Sequence, residues 1–292
     1  MPAALTLDAG HLPQPLIEQY WRDGFLFPIQ AIPAETALSW RAELERIERD
    51  WLAADLPHPI NTYKRMLSNV VMTLSAQISA DPRILDVVEG LIGPDIMVFG
   101  AEYFIKEPQT RHMVTMHQDL TYWGLGATDQ MVTVWLALSP ATPASGCMDF
   151  VAGSHKNPIL PHEDSFDEFN LLSRGQEVAV DVSDAEKTAI ELMPGQISLH
   201  HGLTIHGSGP NTSDDRRIAC VIRYVAPGVL PDGAEKDYAM LVRGADRTGN
   251  FMNFAPPARD FEPAALALFD EIRTHQAAIK LRGAKGRSSA FA

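Results

Sequence analysis

The sequence predicts a mainly β domain with flanking helices, and three observations support this prediction. Apolar residues recur with helical spacing up to about residue 93. From about residue 95 the pattern changes to short runs rich in β-branched and aromatic residues. Gly, Pro and Asn turn signals separate these runs. Helices followed by many short strands indicate an antiparallel barrel or jelly roll with the helices packed outside.

The helices come first along the chain. The segment "PQPLIEQYWRDGFLFP" predicts a short helix from about Pro15 that stops near Gly24, followed by a brief strand. "PAETALSWRAELERIERDWLAADL" has helical apolar spacing and a Pro-Ala-Glu start, which predicts a second helix. "DPRILDVVEGLIG" predicts a third helix that ends at Gly93.

The predicted strands follow, separated by turns. They are "DIMVFGAEYFIK", "MVTVWLALS", "CMDFVAG", "QEVAVDV", "QISLHHGLTIHG" and "RRIACVIRYV". The polar, acidic segment "PHEDSFDEFNLLSRG" is interpreted as a surface excursion, and the C-terminal part contains a terminal helix. We interpret residues 1–292 as a single domain, with N-terminal helices over 15–93, a β core over about 95–225, and a C-terminal lid or helical extension over 226–292.

Composition limits the classes of partner. The chain has 292 residues, 46% of them hydrophobic, which is enough for a sizeable core. Its net charge of −13 repels phosphate backbones and anionic membrane surfaces, so neither nucleic acid nor a membrane is an expected partner. Cys147 and Cys220 lie in apolar, strand-like runs and are predicted to be buried free thiols. Neither a secretion signal nor a membrane-spanning run is evident, so a cytoplasmic location is expected. The oligomeric state is not indicated.

The stretch "MHQDLTYWG" is a candidate metal site. Residues i and i+2 of a strand point to the same face, so His117 and Asp119 are predicted to point together into the barrel. A second histidine from another strand would complete a 2-His-1-carboxylate set. That set suits non-haem Fe(II), because one face of the metal stays open. The spacing alone is weak evidence, since His162 and Asp164 repeat it; we interpret that second copy as a solvated loop.

The stretch "HHGLTIHGSGPNTSDDRRIACVIRYV" supplies the candidate second histidine. It contains three histidines, and a lone histidine is more often a hydrogen-bonded core residue than a ligand. His206 differs from the others because it ends a predicted strand before a tight turn, and the next strand opens with Arg216 and Arg217. A cation that enters a barrel is costly unless it pairs with an anion, such as the carboxylate of a substrate or cosubstrate. Strand alternation leaves open which arginine points inward.

Together these motifs resemble the phytanoyl-CoA dioxygenase family of Fe(II)/2-oxoglutarate oxygenases. "EQYWRDGFLF", "YFIKEP", "VTVWLALSPATPASGCMDFVAGSHK" and "MPGQISLHHGLTIHGSGPN" resemble further segments of that family, so the resemblance covers roughly residues 15 to 225. It implies a double-stranded β-helix, a jelly roll of the cupin type. It also implies Fe(II) as cofactor, with 2-oxoglutarate and O2 as cosubstrates.

The resemblance assigns expected roles residue by residue. His117, Asp119 and His206 match the iron ligands and catalytic centre. Arg217 matches the arginine that pairs with the distal carboxylate of 2-oxoglutarate. The other positions expected near the cosubstrate are Gln118, Trp135, Ser208 and Lys106. The alternative for Lys106 is a surface lysine.

The implied reaction is hydroxylation of an unactivated C–H bond in a small-molecule metabolite, with release of succinate and CO2. Asp119 favours oxygenation over halogenation, because related halogenases lack this carboxylate. Alternatives are desaturation, epimerisation or ring rearrangement by the same iron chemistry, a 2-oxoglutarate-independent cupin-type metalloenzyme, or a non-catalytic binding protein.

The substrate-binding residues are predicted from position alone. Tyr122 and Trp123 follow the ligands and are candidates for the pocket wall, with core packing as an equal alternative. Arg243 and Arg247 lie in the predicted lid and are candidates to meet an acidic substrate group, although surface salt bridges are the more common role. A small metabolite is expected rather than an acyl-CoA, because an acidic chain does not favour a polyphosphorylated ligand.

Overall fold

The computed structural model describes residues 3–5, 7, 11–121, 123–164, 169–171, 176–178, 182–232 and 236–280. The α-helices are α1 (Gln14–Asp23), α2 (Ala34–Trp51), α3 (Ile60–Arg65), α4 (Ser68–Val71), α5 (Thr73–Ser79), α6 (Pro82–Ile92) and α7 (Pro263–Lys280). The strands are β1 (Phe25–Gln30), β2 (Ile96–Lys106), β3 (Val114–His117), β4 (Met131–Ala137), β5 (Met148–Val151), β6 (His162–Asp164), β7 (Gln176–Val178), β8 (Lys187–Ile190), β9 (Gln196–His201), β10 (His206–Ser208), β11 (Arg217–Val225), β12 (Asp237–Arg243) and β13 (Phe251–Asn253).

The predicted N-terminal helices form where their end signals lie. Helix α1 ends at Gly24, whose φ of 87° is a left-handed cap that glycine adopts without strain. Helix α6 begins after Asp81, whose side chain accepts a hydrogen bond from the backbone N–H of Arg83. The short helices α3, α4 and α5 were not predicted. Each is seven residues or fewer, too short for helical periodicity to stand out in the sequence.

Two antiparallel sheets form the core, which confirms the predicted fold class. The larger sheet has the order β1-β9-β4-β11-β2-β12-β13, and the smaller has the order β3-β10-β5-β8. The parallel pairing of β12 with β13 is the exception to the antiparallel pattern in the larger sheet. Trp135 and Val221 of the larger sheet share an apolar cluster with Met148 and Phe150 of the smaller one, so the sheets pack face to face.

Strand alternation separates an outer core from an inner space. On β11, Ile218, Cys220 and Ile222 belong to the largest apolar cluster, which lies between the larger sheet and the helices. Ala219 and Val221 point the other way, into the space between the sheets. Cys147 and Cys220 are buried free thiols, as predicted.

A polar layer lies inside this inner space. Met131, Thr133 and Trp135 are successive inward positions on β4. Met131 belongs to one inner apolar cluster and Trp135 to another, whereas Thr133 lies between them. The predicted ligand Asp119 contacts this polar layer, because the Thr133 hydroxyl donates to its carboxylate.

Two predictions from the sequence are corrected. Residues 162–164 are strand β6, paired with β7, rather than a solvated loop. In the predicted lid, residues 237–243 are strand β12, which pairs with β2 and extends the larger sheet. The terminal segment "KGRSSAFA" lies outside the described residues. Across the described part of the chain, no helix combines the length and apolar character that a membrane crossing requires.

Candidate functional site

The structure brings His117, Asp119 and His206 together, but the elements that carry them differ from the predicted ones. Strand β3 ends at His117, and Asp119 begins a 3-10 turn over Asp119–Thr121, so the two are not on one strand. His206 begins β10 rather than ending a strand, and its direct partner across the β3–β10 pair is His117. Side chains of directly opposed residues lie close together on one face of a sheet. The two imidazoles are therefore set by strand pairing, and the carboxylate by the turn.

The geometry of these residues is that of three ligands on one face of a metal ion. Oδ1 of Asp119 lies 3.5 Å from Nε2 of His117 and 3.9 Å from Nε2 of His206. One ligand atom from each residue lies within 4.8 Å of the others. Thirteen per cent of the Asp119 side chain is exposed, so the centre is accessible to solvent. Two imidazoles and one carboxylate with an open face suit non-haem Fe(II).

Backbone carbonyls orient both imidazoles. Nδ1 of His117 lies 2.9 Å from the carbonyl oxygen of Thr115, and Nδ1 of His206 lies 2.9 Å from that of Thr204. When Nδ1–H donates to these carbonyls, Nε2 is the nitrogen of each ring that carries the lone pair, as a metal ligand requires. Burial, followed by the neighbouring His117, lowers the pKa of His206 well below its usual value, so that ring stays neutral as a ligand must.

The second oxygen of Asp119 has its own partners. The Thr133 hydroxyl donates to Oδ2 over 3.1 Å, and Nε2 of His200 lies 3.4 Å from the same atom. Burial by itself raises the pKa of Asp119, but the imidazoles of His206, His117 and His200 outweigh burial, so the net shift is strongly downward. The carboxylate is therefore ionised, with Oδ1 left to face the metal position.

Two buried cations lie beside this centre on neighbouring strands. Lys106 of β2 and Arg217 of β11 are direct partners in the sheet, and they are 0% and 1% exposed. Nζ of Lys106 donates to Oγ of Ser208 over 2.7 Å, and also contacts the carbonyl oxygen of Gly209. The Arg217 guanidinium lies 5.2 Å from the centroid of the Trp135 ring.

Two nitrogen atoms of the Arg217 guanidinium lack a hydrogen-bond acceptor within the described part of the chain. Among the described residues, its Nε and Nη2 atoms have no hydrogen-bond partner although they are buried. Burial lowers the pKa of Arg217 to about 10. Burial, followed by the nearby charge of Arg217, lowers the pKa of Lys106 to about 6. Within the described part of the chain neither side chain has a carboxylate partner, which fits a dicarboxylic cosubstrate such as 2-oxoglutarate, whose far carboxylate would accept from both.

The structure also shows that Arg216 and Arg217 point to opposite sides of the sheet. Arg216 points to the helical side of the sheet, where its guanidinium forms ion pairs with Glu48 and Glu107. Its charge is already neutralised there. The alternation of β11 therefore leaves Arg217 as the arginine that faces the inner space.

Gln118 has a different position from the one expected. Its side-chain amide donates to the carbonyl oxygens of Leu203 and Pro158, and its Oε1 accepts from the backbone N–H of Leu160. The backbone N–H of Gln118 donates to Nε2 of His162 over 3.1 Å. These bonds fix the segment between the two ligands, so Gln118 holds the loop rather than lining the cosubstrate position.

The predicted substrate residues are distributed differently. Tyr122 lies outside the described residues. Trp123 is buried in the inner cluster with Phe99, which fits the core-packing alternative, and its role in a pocket wall stays a prediction. Arg243 forms ion pairs with Asp86 and Glu89 of α6, which argues against its predicted contact with a substrate. Arg247 pairs with Asp95 and is largely exposed.

Four polar residues of the inner space were missed in the sequence: Thr133, His200, Glu102 and Arg223. A signal existed for two of them. Thr133 interrupts the apolar strand "MVTVWLAL", and Arg223 interrupts "IACVIRYV". Polar residues within strands that are otherwise buried need a partner, so such interruptions mark inner sites.

The fold, the three candidate ligands and the unpaired donors of Arg217 together fit a class of protein, the non-haem iron oxygenases that use 2-oxoglutarate and O2. Comparison with known proteins narrows the class to a family. Residues 20–219 match the family profile described as "Phytanoyl-CoA dioxygenase (PhyH)", and the chain belongs to this family.

Individual relatives agree with this membership. A probable phytanoyl-CoA dioxygenase of Caenorhabditis elegans is 30% identical over 149 residues, which cover 49% of this chain and 48% of that protein. The chain spans about half the length of curated relatives that it matches, 48% to 51% for three of them.

Solved structures also resemble this chain. The non-heme monooxygenase ThoJ in its apo form is 34% identical, with a TM-score of 0.82, over 93% of this chain and all of that one. CytC3 with Fe(II) and alpha-ketoglutarate is 20% identical, with a TM-score of 0.64, over 86% of this chain and 96% of that one. At that identity CytC3 supports the fold alone.

Proposed function

We propose that this protein hydroxylates an unactivated C–H bond of a small-molecule metabolite and converts 2-oxoglutarate and O2 to succinate and CO2. One oxygen atom of O2 enters the substrate and the other enters succinate. In this proposal His117, Asp119 and His206 hold Fe(II), and Arg217 and Lys106 hold the far carboxylate of 2-oxoglutarate.

The observation that carries this proposal is the pair of buried cations beside the three ligands. A metal centre alone would explain the histidines and Asp119. It would not explain why Lys106 and Arg217 are buried side by side with no acidic partner among the described residues. A buried guanidinium without an acceptor is costly, and so is protonation of the buried Lys106 amine, and a bound dicarboxylate offsets both costs. This observation disfavours a cupin-type enzyme that works without 2-oxoglutarate.

The remaining residues would position and shield the reactants. Bound Fe(II) supplies the activation of O2. Thr133 and His200 would keep Asp119 turned so that one oxygen faces the metal, while Ser208 would fix Nζ of Lys106. Trp135 would exclude water from the carboxylate of the cosubstrate, because its ring covers the guanidinium of Arg217. The two inner apolar clusters would keep the centre dry on either side.

Hydroxylation is the outcome that the carboxylate ligand supports best among the alternatives, since Asp119 fills the position that a halide would need. The similarity to a protein described as a monooxygenase agrees with this outcome. Desaturation, epimerisation and ring rearrangement use the same iron centre, and no described contact favours one of them.

The test is succinate release from 2-oxoglutarate with Fe(II) in air. Wild-type protein should release succinate slowly without substrate and faster with a metabolite that binds. His117→Ala should release none above background, because it removes an iron ligand. His112→Ala is a matched control at a histidine outside the site and should behave as wild type. Equal release by wild type and His117→Ala would refute the proposal.

A further inference from the structure

A third buried cation, Arg223, faces the inner space near the iron ligands. It lies on the same face of β11 as Arg217, Ala219 and Val221. Its direct partner on β4 is Thr133, the residue whose hydroxyl contacts Asp119. Side chains of direct partners lie side by side on one face of a sheet. Arg223 is therefore one strand away from a residue that touches an iron ligand.

The contacts of Arg223 place its guanidinium beside an aromatic ring and leave a donor unused. It forms an ion pair with Glu102 of β2, and it lies 4.6 Å from the centroid of the Trp123 ring. Its Nε has no acceptor among the residues that the structure describes. An arginine has five N–H donors, more than the one carboxylate of Glu102 can accept. Both side chains keep some exposure, 16% for Arg223 and 10% for Glu102, so the pair borders open space.

The surroundings of this pair are apolar. Trp123 belongs to an inner cluster with Phe99, Leu125 and Phe251. A ligand that reaches Arg223 through the inner space between the sheets would therefore place an apolar body against this cluster and a polar group against the guanidinium. The flat, stacked guanidinium favours a planar anion that can accept two parallel hydrogen bonds, and a carboxylate is such an anion.

The formal charges of the inner space favour an anion as well. Fe(II) and Asp119 sum to one positive charge. The two negative charges of 2-oxoglutarate are balanced by Lys106 and Arg217 when both are protonated, and Arg223 is balanced by Glu102. One positive charge remains uncompensated in a buried, weakly polar space, where Coulomb interactions are strong. A substrate with one carboxylate would make the space neutral.

We propose that Arg223 binds a carboxylate of the substrate and thereby orients an apolar, monoanionic substrate over the open face of the iron. This inference rests on the proposed function and adds the substrate class to it. Arg223, held by Glu102 and Trp123, replaces Arg243 as the arginine that meets an acidic substrate group.

The test compares matched acids and amides. The probes are N-acetyl-leucine, N-acetyl-phenylalanine, N-acetyl-tryptophan and 4-phenylbutanoate, each as the free acid and as the primary carboxamide. Succinate release is measured with Fe(II), 2-oxoglutarate and air. At least one acid should raise the rate about tenfold or more above the substrate-free rate, and its carboxamide should give about a tenth of that increase or less, since a desolvated charged contact is lost.

Two variants test whether Arg223 causes the preference for acids. Glu102→Gln/Arg223→Gln replaces the ion pair with a neutral pair of similar size, which avoids an unpaired buried charge. This double variant should lose the preference for acids, with a KM for the active acid raised about 10-fold or more. Arg243→Gln removes an arginine that is also paired with acidic residues but lies outside the inner space, and it should keep the wild-type preference.

Failure of this inference and failure of the proposed function give different results. If anaerobic wild-type protein with Fe(II) forms no visible charge-transfer band on addition of 2-oxoglutarate, the function itself is wrong. If the band forms but no acid stimulates turnover, or acids and carboxamides act equally, the assignment to Arg223 is overturned. An acid preference that persists in the double variant overturns it too.

Discussion

The two oxygen atoms of Asp119 have different surroundings, and this division would let one carboxylate serve a metal and the protein at once. Oδ1 faces the two imidazoles, while Oδ2 accepts from Thr133 and lies beside His200. Partners of this kind fix the orientation of a ligand and tune its affinity for the metal.

Thr133→Val tests this division. Valine keeps the shape of threonine and removes the hydroxyl donor to Oδ2. The dissociation constant for Fe(II), measured by anaerobic equilibrium dialysis, should rise about 10- to 100-fold. Thr36→Val on helix α2 is the control and should bind Fe(II) as wild type does. Unchanged affinity in Thr133→Val would show that the contact with Oδ2 does not matter for the metal.

Lys106 should couple cosubstrate binding to proton uptake. Burial and the neighbouring Arg217 lower the pKa of Lys106 to about 6, so at pH 8 its amine is mostly neutral in the free protein. A bound carboxylate stabilises the charged form and raises this pKa, so binding of 2-oxoglutarate at pH 8 takes up close to one proton. At pH 5 the amine is already protonated in the free protein, and the uptake disappears.

Calorimetry measures this coupling directly. The apparent binding enthalpy of 2-oxoglutarate at pH 8 should differ between Tris and phosphate, in proportion to the ionisation enthalpies of the two buffers. The difference should vanish in Lys106→Met. An enthalpy that does not depend on the buffer in wild type would mean that Lys106 is charged before binding, or that it does not meet the cosubstrate.

At the scale of elements, the site depends on how closely β10 approaches β3. Gly207 lies between His206 and Ser208, and a Cβ atom there would lie 2.7 Å from the carbonyl oxygen of Val114 and 2.8 Å from the sulfur of Met116. No real Cβ approaches a backbone oxygen so closely, so only glycine allows this spacing. The same three-residue strand carries an iron ligand and the partner of Lys106.

Gly207→Ala should therefore damage the metal site more than the fold. The added methyl group pushes β10 away from β3 and separates His206 from His117. Fe(II) affinity should fall at least about 10-fold, as for other changes that disturb ligand geometry. Gly228→Ala, where the nearest atom to a new Cβ is 3.3 Å away at a flexible glutamine side chain, is the control. Equal Fe(II) affinity in both variants would contradict the role assigned to Gly207.

The predictability of the elements follows their length and their end signals. The long helices and most strands could be predicted, because apolar spacing and Gly or Pro boundaries are local properties. The turn at Asp119 could not be predicted, because the segment "VTMHQDL" reads as one continuous strand. Its end is set by tertiary contacts of Gln118 with Pro158, Leu160 and Leu203, which are about 40 or more residues away.

At the scale of the whole molecule, the charge of the interior opposes that of the chain. The chain carries a net charge of −13, yet Lys106, Arg217 and Arg223 all point into the inner space. The net charge of the chain is an average over its surface and interior, so it does not reveal the positive charges inside the site. The ligands and Arg217 were predicted because motif spacing resembles a known family. Arg223 was missed because its role depends on the pairing of β11 with β4, which the sequence does not show.

Ligands should stabilise the whole fold through this centre. Mn(II) with 2-oxoglutarate, each at about 100 times its dissociation constant, should add about 2.7 kcal/mol or more to the free energy of unfolding. For a chain of this size that corresponds to a rise in melting temperature of roughly 4 °C or more. In His117→Ala the part of this stabilisation that depends on Mn(II) should be absent. The same rise in melting temperature in wild type and His117→Ala would show that the metal binds at another site.

The most direct test of the account is a spectroscopic titration of 2-oxoglutarate into anaerobic Fe(II) protein. Wild type and Arg216→Ala should both develop a weak visible charge-transfer band with similar affinity, because Arg216 is paired with Glu48 and Glu107 on the helical side. In Arg217→Ala the apparent dissociation constant should rise on the order of 100-fold, since a buried charged contact is lost. A band of equal affinity in Arg217→Ala and wild type, or none in wild type, would contradict the central claim.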